Sequence, residues 1–383
     1  MPIPTVLFAH LGDVTGSSRA LRQIRELDAM GVGVEVVQVG PPRRPEAIPA
    51  RTTLTVLPRP TGRGPAFFWA AHRAVTEAVG GRSADLYLAS DLYVLPALAR
   101  AARRHRGRLV YDSRELYAAL DASAGRPLVS AVWRAVEGRH IRKADAVLTV
   151  SDRIADRLGA SYDIARPTVL YNAPAPHPEA TTPEATDSER TGPEALRRAL
   201  RLPDDGRLVV LYQGLFRAGR GLPALVEAVG VVEGIRLVLI GEGDLEPKIR
   251  RLGDGLGGRL VVHPFVPPDA LAALTPGADL GACLIEPLTE SLRLSLPNKL
   301  FEYLSAGVPV LASPLPEIRR VVQGAGILAD PQSPEAVEGA LRTALDANTR
   351  ATWAAHSRDA LAPYAWTTGR ETFRRLILDL LPA

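Results

Sequence analysis

Cysteine and long apolar runs are almost missing from this sequence. Cys283 is the single cysteine among 383 residues, which excludes a disulfide-rich scaffold and a metal site built from several cysteines. No stretch approaches the roughly 18 consecutive apolar residues of a membrane span, so we expect no transmembrane helix. The opening MPIPTVLFAH has neither a basic region nor a small-residue cleavage site, so we expect no secretion signal. These absences favour a cytoplasmic protein.

Lysine is scarce as well. Lys143, Lys248 and Lys299 are the only lysines, and arginine supplies the other positive charges. Codon bias accounts for this preference for arginine, but a lysine that is kept inside a motif is a candidate functional residue. The 46 basic and 42 acidic residues are interleaved. We therefore expect no nucleic-acid partner, although the isoelectric point is about 9.4.

The remaining composition is that of an ordinary globular protein. Hydrophobic residues make up 46% and charged residues 23% of the chain, which excludes a disordered polypeptide. A chain of 383 residues is longer than one hydrophobic core usually supports, so two domains are expected.

Short apolar, β-branched runs alternate with longer amphipathic stretches, the pattern of parallel strands joined by crossover helices. Strands are predicted at Thr5–Leu11, Gly33–Val39, Leu54–Leu57, Asp85–Ala89, Arg108–Tyr111, Ala146–Val150, Thr168–Leu170, Leu208–Gln213, Arg236–Ile240, Leu260–Pro264, Leu280–Ile285, Val308–Ala312 and Gly326–Ala329. Helices are predicted at Ser18–Met30, Pro65–Val79, Val94–His105 and Arg126–Arg142. Each half of the chain is therefore predicted to be an α/β domain with its own doubly wound sheet.

An Ala-Asp pair stands directly before three of these strands. We interpret Asp85, Asp145 and Asp279 as residues that break the preceding helix and start a buried strand from solvent.

A segment rich in proline, threonine, glutamate and alanine separates the two halves. It runs from Pro174 to Pro193 without apolar periodicity, which is typical of a linker or mobile loop. The last predicted helix, Trp366–Leu381, carries its apolar residues on one face and is expected to cover a core. The predicted N-terminal domain, linker, C-terminal domain and closing helix are residues 1–172, 173–195, 196–364 and 365–383.

Ligands of open α/β sheets bind beyond the carboxyl ends of the strands. The loop His10–Ser18 follows the first strand and opens a helix, and its Gly16 lets a ligand approach the backbone. A nicotinamide site is weakly supported because the glycines do not follow GxGxxG; a plain turn capped by Ser17 or Ser18 is the alternative. Asp91 follows the fourth strand and is interpreted as a ligand-site residue, a base or a helix N-cap.

Two later loops also carry glycines. The loop Gln213–Leu222 holds Arg217 and Arg220 among three glycines, and guanidinium groups match phosphate oxygens in pairs. A solvated loop is the alternative. The turn that contains Gly241 and Gly243 joins a predicted strand to a helix, and alone it is a weak signal.

The segment Leu296–Val310 is the most informative. Pro297 suits the first turn of a helix, so Asn298 and Lys299 fall in that turn, where an anion is favoured. Glu302 lies one turn further on the same face. A cation, an amide and a carboxylate at one helix start suit a diphosphate and a ribose. An ordinary helix with a Lys–Glu pair is the alternative.

Taken together, these motifs resemble family 4 of the GT-B glycosyltransferases. Leu296–Val310 resembles the family's donor-binding helix, and the GxGD turn, Arg220-Gly221 and Tyr171-Asn172 fit in the same order. The resemblance covers almost the whole chain apart from the linker. It implies two Rossmann-like domains that face a cleft, with the C-terminal helix packed back on the N-terminal domain.

The resemblance also implies a reaction and its partners. A nucleotide-diphosphate sugar would bind mostly to the C-terminal domain, and the acceptor, a small molecule, lipid or glycan, mostly to the N-terminal domain. The sugar would be transferred with retention of anomeric configuration, without a cofactor and generally without a bound metal. Peripheral membrane contact and any oligomeric state stay open at this point.

Roles carry over by position. Arg220 stands for the lysine that binds the diphosphate, Glu302 for the carboxylate that contacts the ribose hydroxyls, and Val266 for the residue whose backbone reads the base. Leu215 replaces a phosphate-loop arginine, whose place Arg217 would take. The residues that the resemblance assigns to the donor are Gly16, Arg217, Arg220, Gly241, Gly243, Val266, Leu296, Asn298, Lys299 and Glu302.

Two further departures concern the chemistry. Leu294 replaces the first carboxylate of the family's E-x7-E motif, so Glu290 or Glu286 is the candidate substitute. Arg114 stands where the family has a histidine near the donor sugar, and an arginine there suits a phosphate or carboxylate. The predicted catalytic residues are Asp91, Arg114 and Glu290, with Asp91 interpreted as an acceptor-site residue or base.

These departures keep a second function open, a catalytically silent subunit that only binds nucleotide sugars. An oxidoreductase or epimerase on a Rossmann base is less favoured.

Overall fold

The computed structural model describes residues 3–62, 64–120, 126–174, 192 and 194–382. The chain divides into two compact units, the first formed by Met1–Asn172 with Thr367–Ala383 and the second by Ala173–Trp366. Most of the predicted linker, residues 175–191 and 193, lies outside the described residues.

The first unit is built on a seven-stranded parallel sheet with the strand order β3-β2-β1-β4-β5-β6-β7. Its strands are β1 (Thr5–His10), β2 (Gly33–Val39), β3 (Thr53–Leu57), β4 (Leu86–Ala89), β5 (Arg108–Ser113), β6 (Ala146–Thr149) and β7 (Thr168–Val169). Its helices are α1 (Ser18–Ala29), α2 (Pro65–Val79), α3 (Leu95–His105), α4 (Pro127–Ile141), α5 (Asp152–Tyr162) and, from the end of the chain, α15 (Trp366–Leu380). The strands β1 and β4 are almost entirely buried, as expected of central parallel strands.

The second unit is built on a six-stranded parallel sheet with the order β10-β9-β8-β11-β12-β13. Its strands are β8 (Leu208–Gln213), β9 (Ile235–Ile240), β10 (Leu260–His263), β11 (Leu280–Cys283), β12 (Val310–Ala312) and β13 (Gly326–Leu328). Its helices are α6 (Ala195–Ala199), α7 (Leu222–Val231), α8 (Glu246–Leu252), α9 (Pro268–Leu274), α10 (Glu290–Arg293), α11 (Asn298–Ser305), α12 (Pro316–Val322), α13 (Pro334–Ala344) and α14 (Ala347–Leu361).

Every predicted strand is present, but several are shorter than predicted. The predicted strand Leu280–Ile285 ends at Cys283, because its neighbour β12 ends at Ala312, opposite Cys283. Leu284 and Ile285 continue the buried apolar run without a strand partner, so hydrophobicity alone overestimates the strand.

The three Ala-Asp pairs have a shared structural role that the sequence interpretation missed. Asp85, just before β4, accepts a hydrogen bond from the backbone N–H of Thr5 at 2.8 Å. Asp145, before β6, accepts one from Leu109 N at 2.8 Å. Asp279, before β11, accepts one from Val209 N at 2.7 Å. Each carboxylate therefore satisfies an amide at the start of the neighbouring strand.

The closing helix α15 begins at Trp366, as predicted, and ends at Leu380. Phe373 and Ile377 are fully buried, and Arg374 forms an ion pair with Glu26 of α1. The compact first unit thus includes this C-terminal segment.

Candidate active site

The strand order reverses between β8 and β11 in the second unit. The connections to the flanking strands leave in opposite directions there, which opens a crevice at the carboxyl ends of the strands. The loops that follow β8, β9 and β11, together with α11, meet at this edge. They carry most of the residues predicted to bind a donor.

Helix α11 begins at Asn298, one residue later than predicted. Pro297 is the N-cap, with extended backbone angles of φ −73° and ψ 141°, and not a member of the first turn. Asn298 and Lys299 do fall in that turn, as predicted. Leu296, just before the cap, is buried and so contributes packing at the base of this turn.

Lys299 is the cation of this helix start. Its ammonium nitrogen lies 3.5 Å from the centre of the buried Tyr212 ring, and ring faces attract cations. Burial, opposed by Cys283 and Glu302 and assisted by Arg220, lowers the pKa of Lys299 to about 7. The four side chains therefore influence one another electrostatically, and Lys299 is poised to gain a proton when an anion arrives.

Glu302 is held by a chain of polar contacts. The Gln213 amide donates from Nε2 to Glu302 Oε2 at 2.5 Å, and Gln213 Oε1 lies 3.1 Å from the Thr275 hydroxyl. The Gln213 backbone N–H donates to the Tyr303 hydroxyl at 3.1 Å. The end of β8 and one face of α11 are thereby joined through both side-chain and backbone groups.

The cationic loop after β8 is held by a carboxylate. Glu286 Oε1 accepts a hydrogen bond from Gly221 N at 2.8 Å, and Glu286 N donates to Gly219 O at 3.1 Å. Arg220, between these glycines, is partly buried, whereas Arg217 is exposed. Within the described part of the chain, neither guanidinium makes a hydrogen bond or ion pair. The loop thus presents two positive groups to a ligand.

Glu286 and Glu290, the two candidate substitutes for the carboxylate missing at Leu294, have different environments. Glu286 is used to hold the loop at Gly221, while Glu290 is the exposed first residue of α10. Leu294 is the C-cap of that short helix. Glu290 is therefore the one of the two that faces solvent.

Gly241 and Gly243 are required by a close approach of two loops. Gly241 has a φ angle of +152°, and a Cβ there would lie 1.9 Å from Gly214 O. Gly243 has a φ angle of +155°, and a Cβ there would lie 2.4 Å from Phe216 O. The turn after β9 therefore packs directly on the loop after β8. Sequence interpretation assigned these glycines to nucleotide approach; their visible role is to fit backbone against backbone.

The base-reading position predicted for Val266 lies in the loop after β10. Val266 is partly buried, and its neighbour Phe265 is 44% exposed. This loop lies at the same edge of the sheet as the end of β9, because His263 O accepts a hydrogen bond from Gly241 N at 3.0 Å.

The first unit has its own reversal of strand order, between β1 and β4. At its carboxyl edge, His10 Nδ1 lies 2.7 Å from Ser90 Oγ and 3.6 Å from Asp91 Oδ2. Burial, with a contribution from Arg114, lowers the pKa of His10 well below its usual value. His10 is therefore a neutral imidazole at physiological pH.

Asp91 is a buried cap. Its Oδ1 accepts hydrogen bonds from Tyr93 N at 2.9 Å and Val94 N at 3.2 Å, and its Oδ2 accepts one from Leu11 N at 2.8 Å. The cap serves the turn before α3 rather than the helix itself, whose N-cap is Val94. Burial raises the pKa of Asp91, although Arg114 opposes this.

Arg114 reaches the start of α1. Its Nη1 donates to Ser17 Oγ at 3.3 Å, and Nη2 lies 4.0 Å from Asp91 Oδ2. Ser17 is the N-cap of α1, as the sequence alternative predicted, and Gly16 closes the short 3₁₀ turn before it. Gly16, Asp91 and Arg114 are thus brought together within the first unit.

The sequence analysis missed three residues of the site in the second unit, Gln213, Tyr212 and Thr275. Gln213 ends an otherwise apolar, fully buried strand, and a polar residue at the carboxyl end of such a strand is a usable signal. Tyr212 and Thr275 have no comparable local pattern.

The described residues contain no group of three or more His, Cys, Asp or Glu side chains that could hold a metal ion. They also contain no helix that is both long and apolar enough to span a membrane.

Each of the two parallel sheets carries candidate binding residues where its strand order reverses. This arrangement defines a protein with two Rossmann-like domains. Residues 15–173 match the family described as glycosyl transferase 4-like domain, and residues 207–347 match glycosyl transferases group 1. The chain therefore belongs to the GT-B glycosyltransferases of the family 4 type. It is a glycosyl-transferring enzyme that uses nucleotide-sugar donors.

Individual relatives agree with this assignment. The 2-deoxystreptamine glucosyltransferase of Streptomyces kanamyceticus is 28% identical over 327 residues, 76% of this chain and 79% of the relative. Sucrose-phosphate synthase of Thermosynechococcus elongatus has a TM-score of 0.75 at 16% identity, over 98% of this chain and 99% of that one. The Anabaena protein HepE, solved in complex with UDP, has a TM-score of 0.71 at 17% identity, over 98% of this chain and 100% of that one. The structural likeness shows the GT-B fold.

Proposed function

We propose that the protein transfers a glycosyl group from a UDP-sugar to an acceptor hydroxyl, with retention of anomeric configuration and without a bound metal. The observation that carries the proposal is the geometry around α11: Lys299 lies over the Tyr212 ring at the end of β8, and Glu302 accepts a hydrogen bond from Gln213. Arg220 stands on the adjoining loop, which Glu286 holds at Gly221. Cations suit a diphosphate, and the carboxylate suits ribose hydroxyls. The choice of uridine is supported by HepE, whose structure contains UDP.

The cations near α11 would stabilise the negative charge that develops during the reaction. Breaking the bond between the sugar and the diphosphate builds negative charge on the leaving oxygen. Lys299 and Arg220, with the free N–H groups at the start of α11, would stabilise that charge in place of a metal. Arg217, exposed on the same loop, would add to it once a donor is bound.

The proposed retention follows from the leaving group acting as the base. The acceptor oxygen would form its bond to the anomeric carbon on the face from which the diphosphate leaves. The carbon–oxygen bond to phosphate would break, and the acceptor's proton would pass to the departing phosphate oxygen. No side chain needs to form a covalent intermediate, so the role we propose for Glu290 is a contact to the sugar.

The acceptor would bind at the carboxyl edge of the first unit. Arg114 would contact a polar or anionic group of the acceptor or of the transferred sugar, and Asp91 would hold the loop at Leu11. Gly16 and the start of α1 would lie against a phosphate. For the transferred sugar we propose glucose, because the Streptomyces relative is a glucosyltransferase.

The test combines ligand binding with turnover. A thermal-shift screen of UDP, GDP, ADP and dTDP is expected to give the largest rise in melting temperature with UDP, because a ligand that binds the folded state stabilises it. UDP-glucose turnover, followed by UDP release, is expected to be unaffected by EDTA. Glu302→Ala and Lys299→Ala are expected to lose turnover while the fold survives. Full turnover in both variants, or no shift with any nucleotide, would reject the proposed site.

A further inference from the structure

We propose that Gln213 is a positioning residue for ribose recognition: its buried amide fixes the Glu302 carboxylate in the orientation that binds the ribose hydroxyls. This inference rests on the proposed function, which assigns those hydroxyls to Glu302. It adds a residue that does not itself touch the ligand and that acts through Glu302.

The direction of the Gln213 amide follows from its neighbours. A carboxylate can only accept hydrogen bonds, so the group 2.5 Å from Glu302 Oε2 must be the amide nitrogen. The amide oxygen then faces the Thr275 hydroxyl at 3.1 Å. That hydroxyl also lies 2.8 Å from Leu271 O, and its single proton serves one of the two oxygens at a time. The reversed amide would place an oxygen against the carboxylate and is electrostatically excluded.

Gln213 is well placed to act as a support. It is 2% exposed and Thr275 is 2% exposed, so water does not compete for these contacts. The Gln213 backbone is tied to the Tyr303 hydroxyl, which in turn donates to Leu211 O at 3.0 Å. Since Tyr303 is the residue after Glu302 on α11, the same strand end fixes both the helix and the carboxylate.

The energetic reason for such a support is preorganisation. A glutamate side chain has several rotamers, and freezing them when a ligand binds costs affinity. A charge-assisted hydrogen bond made before binding removes much of that cost. The benefit appears only with ligands whose hydroxyls meet Glu302, so it can be measured as a ratio between two ligands.

The experiment compares each nucleoside diphosphate with its 2′,3′-dideoxy form, using UDP, GDP and ADP as the parent compounds. The ribo form is expected to bind wild type roughly ten- to hundredfold more tightly. In Glu302→Ala this ratio is expected to fall to near one. Gln213→Leu is expected to lose most of the ratio while the affinity for the dideoxy form stays within about twofold. The contribution of Lys299 and Arg220 to diphosphate binding cancels in the ratio.

Gln213→Glu makes the ribo-to-dideoxy ratio depend on pH, an effect that a loss of packing alone would not produce. Two facing carboxylates share a proton at low pH and repel at high pH. The variant is therefore expected to recover a ratio near that of wild type at pH 5 and to lose it by pH 8, while the wild-type ratio stays flat. Lys299, Cys283 and Tyr303 also interact electrostatically with Glu302, but they act on both ligands alike.

The control is Gln23→Leu, which removes another fully buried amide, one that donates to Asp112 in the first unit at 2.8 Å. Its ribo-to-dideoxy ratio is expected to equal that of wild type. If Glu302→Ala keeps the ratio, the proposed ribose role of Glu302 fails and the inference fails with it. If Glu302→Ala loses the ratio but Gln213→Leu and Gln213→Glu keep it at every pH, the inference alone is overturned.

Discussion

The ammonium nitrogen of Lys299 lies 3.5 Å from the centre of the Tyr212 ring. Lys299 is only partly exposed to water before any ligand arrives, and its desolvation lowers its pKa to about 7. A diphosphate beside it would favour the charged form and raise that pKa again. Ligand binding and protonation of Lys299 are therefore expected to be coupled.

We expect about one proton to be taken up for each nucleoside diphosphate bound at pH 8. Below pH 7 the free protein already carries the charge; above pH 7 it must gain a proton to bind. Affinity should therefore fall up to about tenfold per pH unit between pH 7.5 and 9.5. Calorimetry in two buffers with different ionisation enthalpies measures the uptake. Lys299→Arg, which stays charged, should show neither the uptake nor the slope; an uptake that persists in this variant would assign the proton to another group.

Packing between loops gives a second prediction. Gly243→Ala would place a Cβ 2.4 Å from Phe216 O, on a backbone with a φ angle of +155°. Because Phe216 O is a backbone atom, it cannot move away as the end of a flexible side chain could. We expect a loss of about 2–4 kcal/mol in the free energy of unfolding, measured with urea. Gly258→Ala, where a Cβ has nothing within 4 Å, should change the unfolding free energy by no more than about 0.5 kcal/mol. Equal effects in the two variants would contradict the contact.

The strand-start aspartates give a third prediction. Asp279→Ala leaves the buried Val209 N–H without its carboxylate partner, and an unsatisfied buried amide costs about 1–3 kcal/mol. Urea unfolding should show a loss of this size. Asp254→Ala removes the same charge from an exposed position of the same unit and is expected to be close to neutral. A loss in both variants would point to net charge and not to the hydrogen bond.

The parts of the fold that sequence predicts are those governed by local patterns. The strands Gly33–Val39 and Leu208–Gln213 have the predicted bounds, because apolar runs and flanking turn residues are adjacent in the chain. Ser17, one of the two caps that the sequence allows, is the N-cap of α1 for the same reason. Pro297 was misplaced by one residue because proline is favoured both at a helix start and just before it.

The parts that sequence could not predict depend on distant residues. Gln213 and Glu302 are 89 positions apart, and only the assembled β8–α11 contact brings them together. Gly241 is likewise explained by the carbonyl of Gly214, on a neighbouring strand end. The sequence shows these residue types, but the strand order of the sheet decides which of them become partners.

Asp91 gives the last prediction, which separates support from proton transfer. In Asp91→Asn one side-chain oxygen can still accept from Tyr93 N and Val94 N, but the new NH₂ group would face the Leu11 N–H. We expect a loss of about 1–3 kcal/mol in unfolding free energy from the broken Leu11 contact.

The pH dependence of kcat/KM distinguishes the two roles of Asp91. Because the leaving phosphate takes the acceptor's proton in the proposed reaction, Asp91→Asn should lower kcat/KM by roughly tenfold, the cost of one misplaced loop contact, without changing the shape of the pH profile. If Asp91 were the base, its raised pKa would appear as an acid limb in wild type that vanishes in the variant. Ser90→Ala, which removes only the hydroxyl beside His10, serves as a matched perturbation of the same strand end and should leave the profile intact.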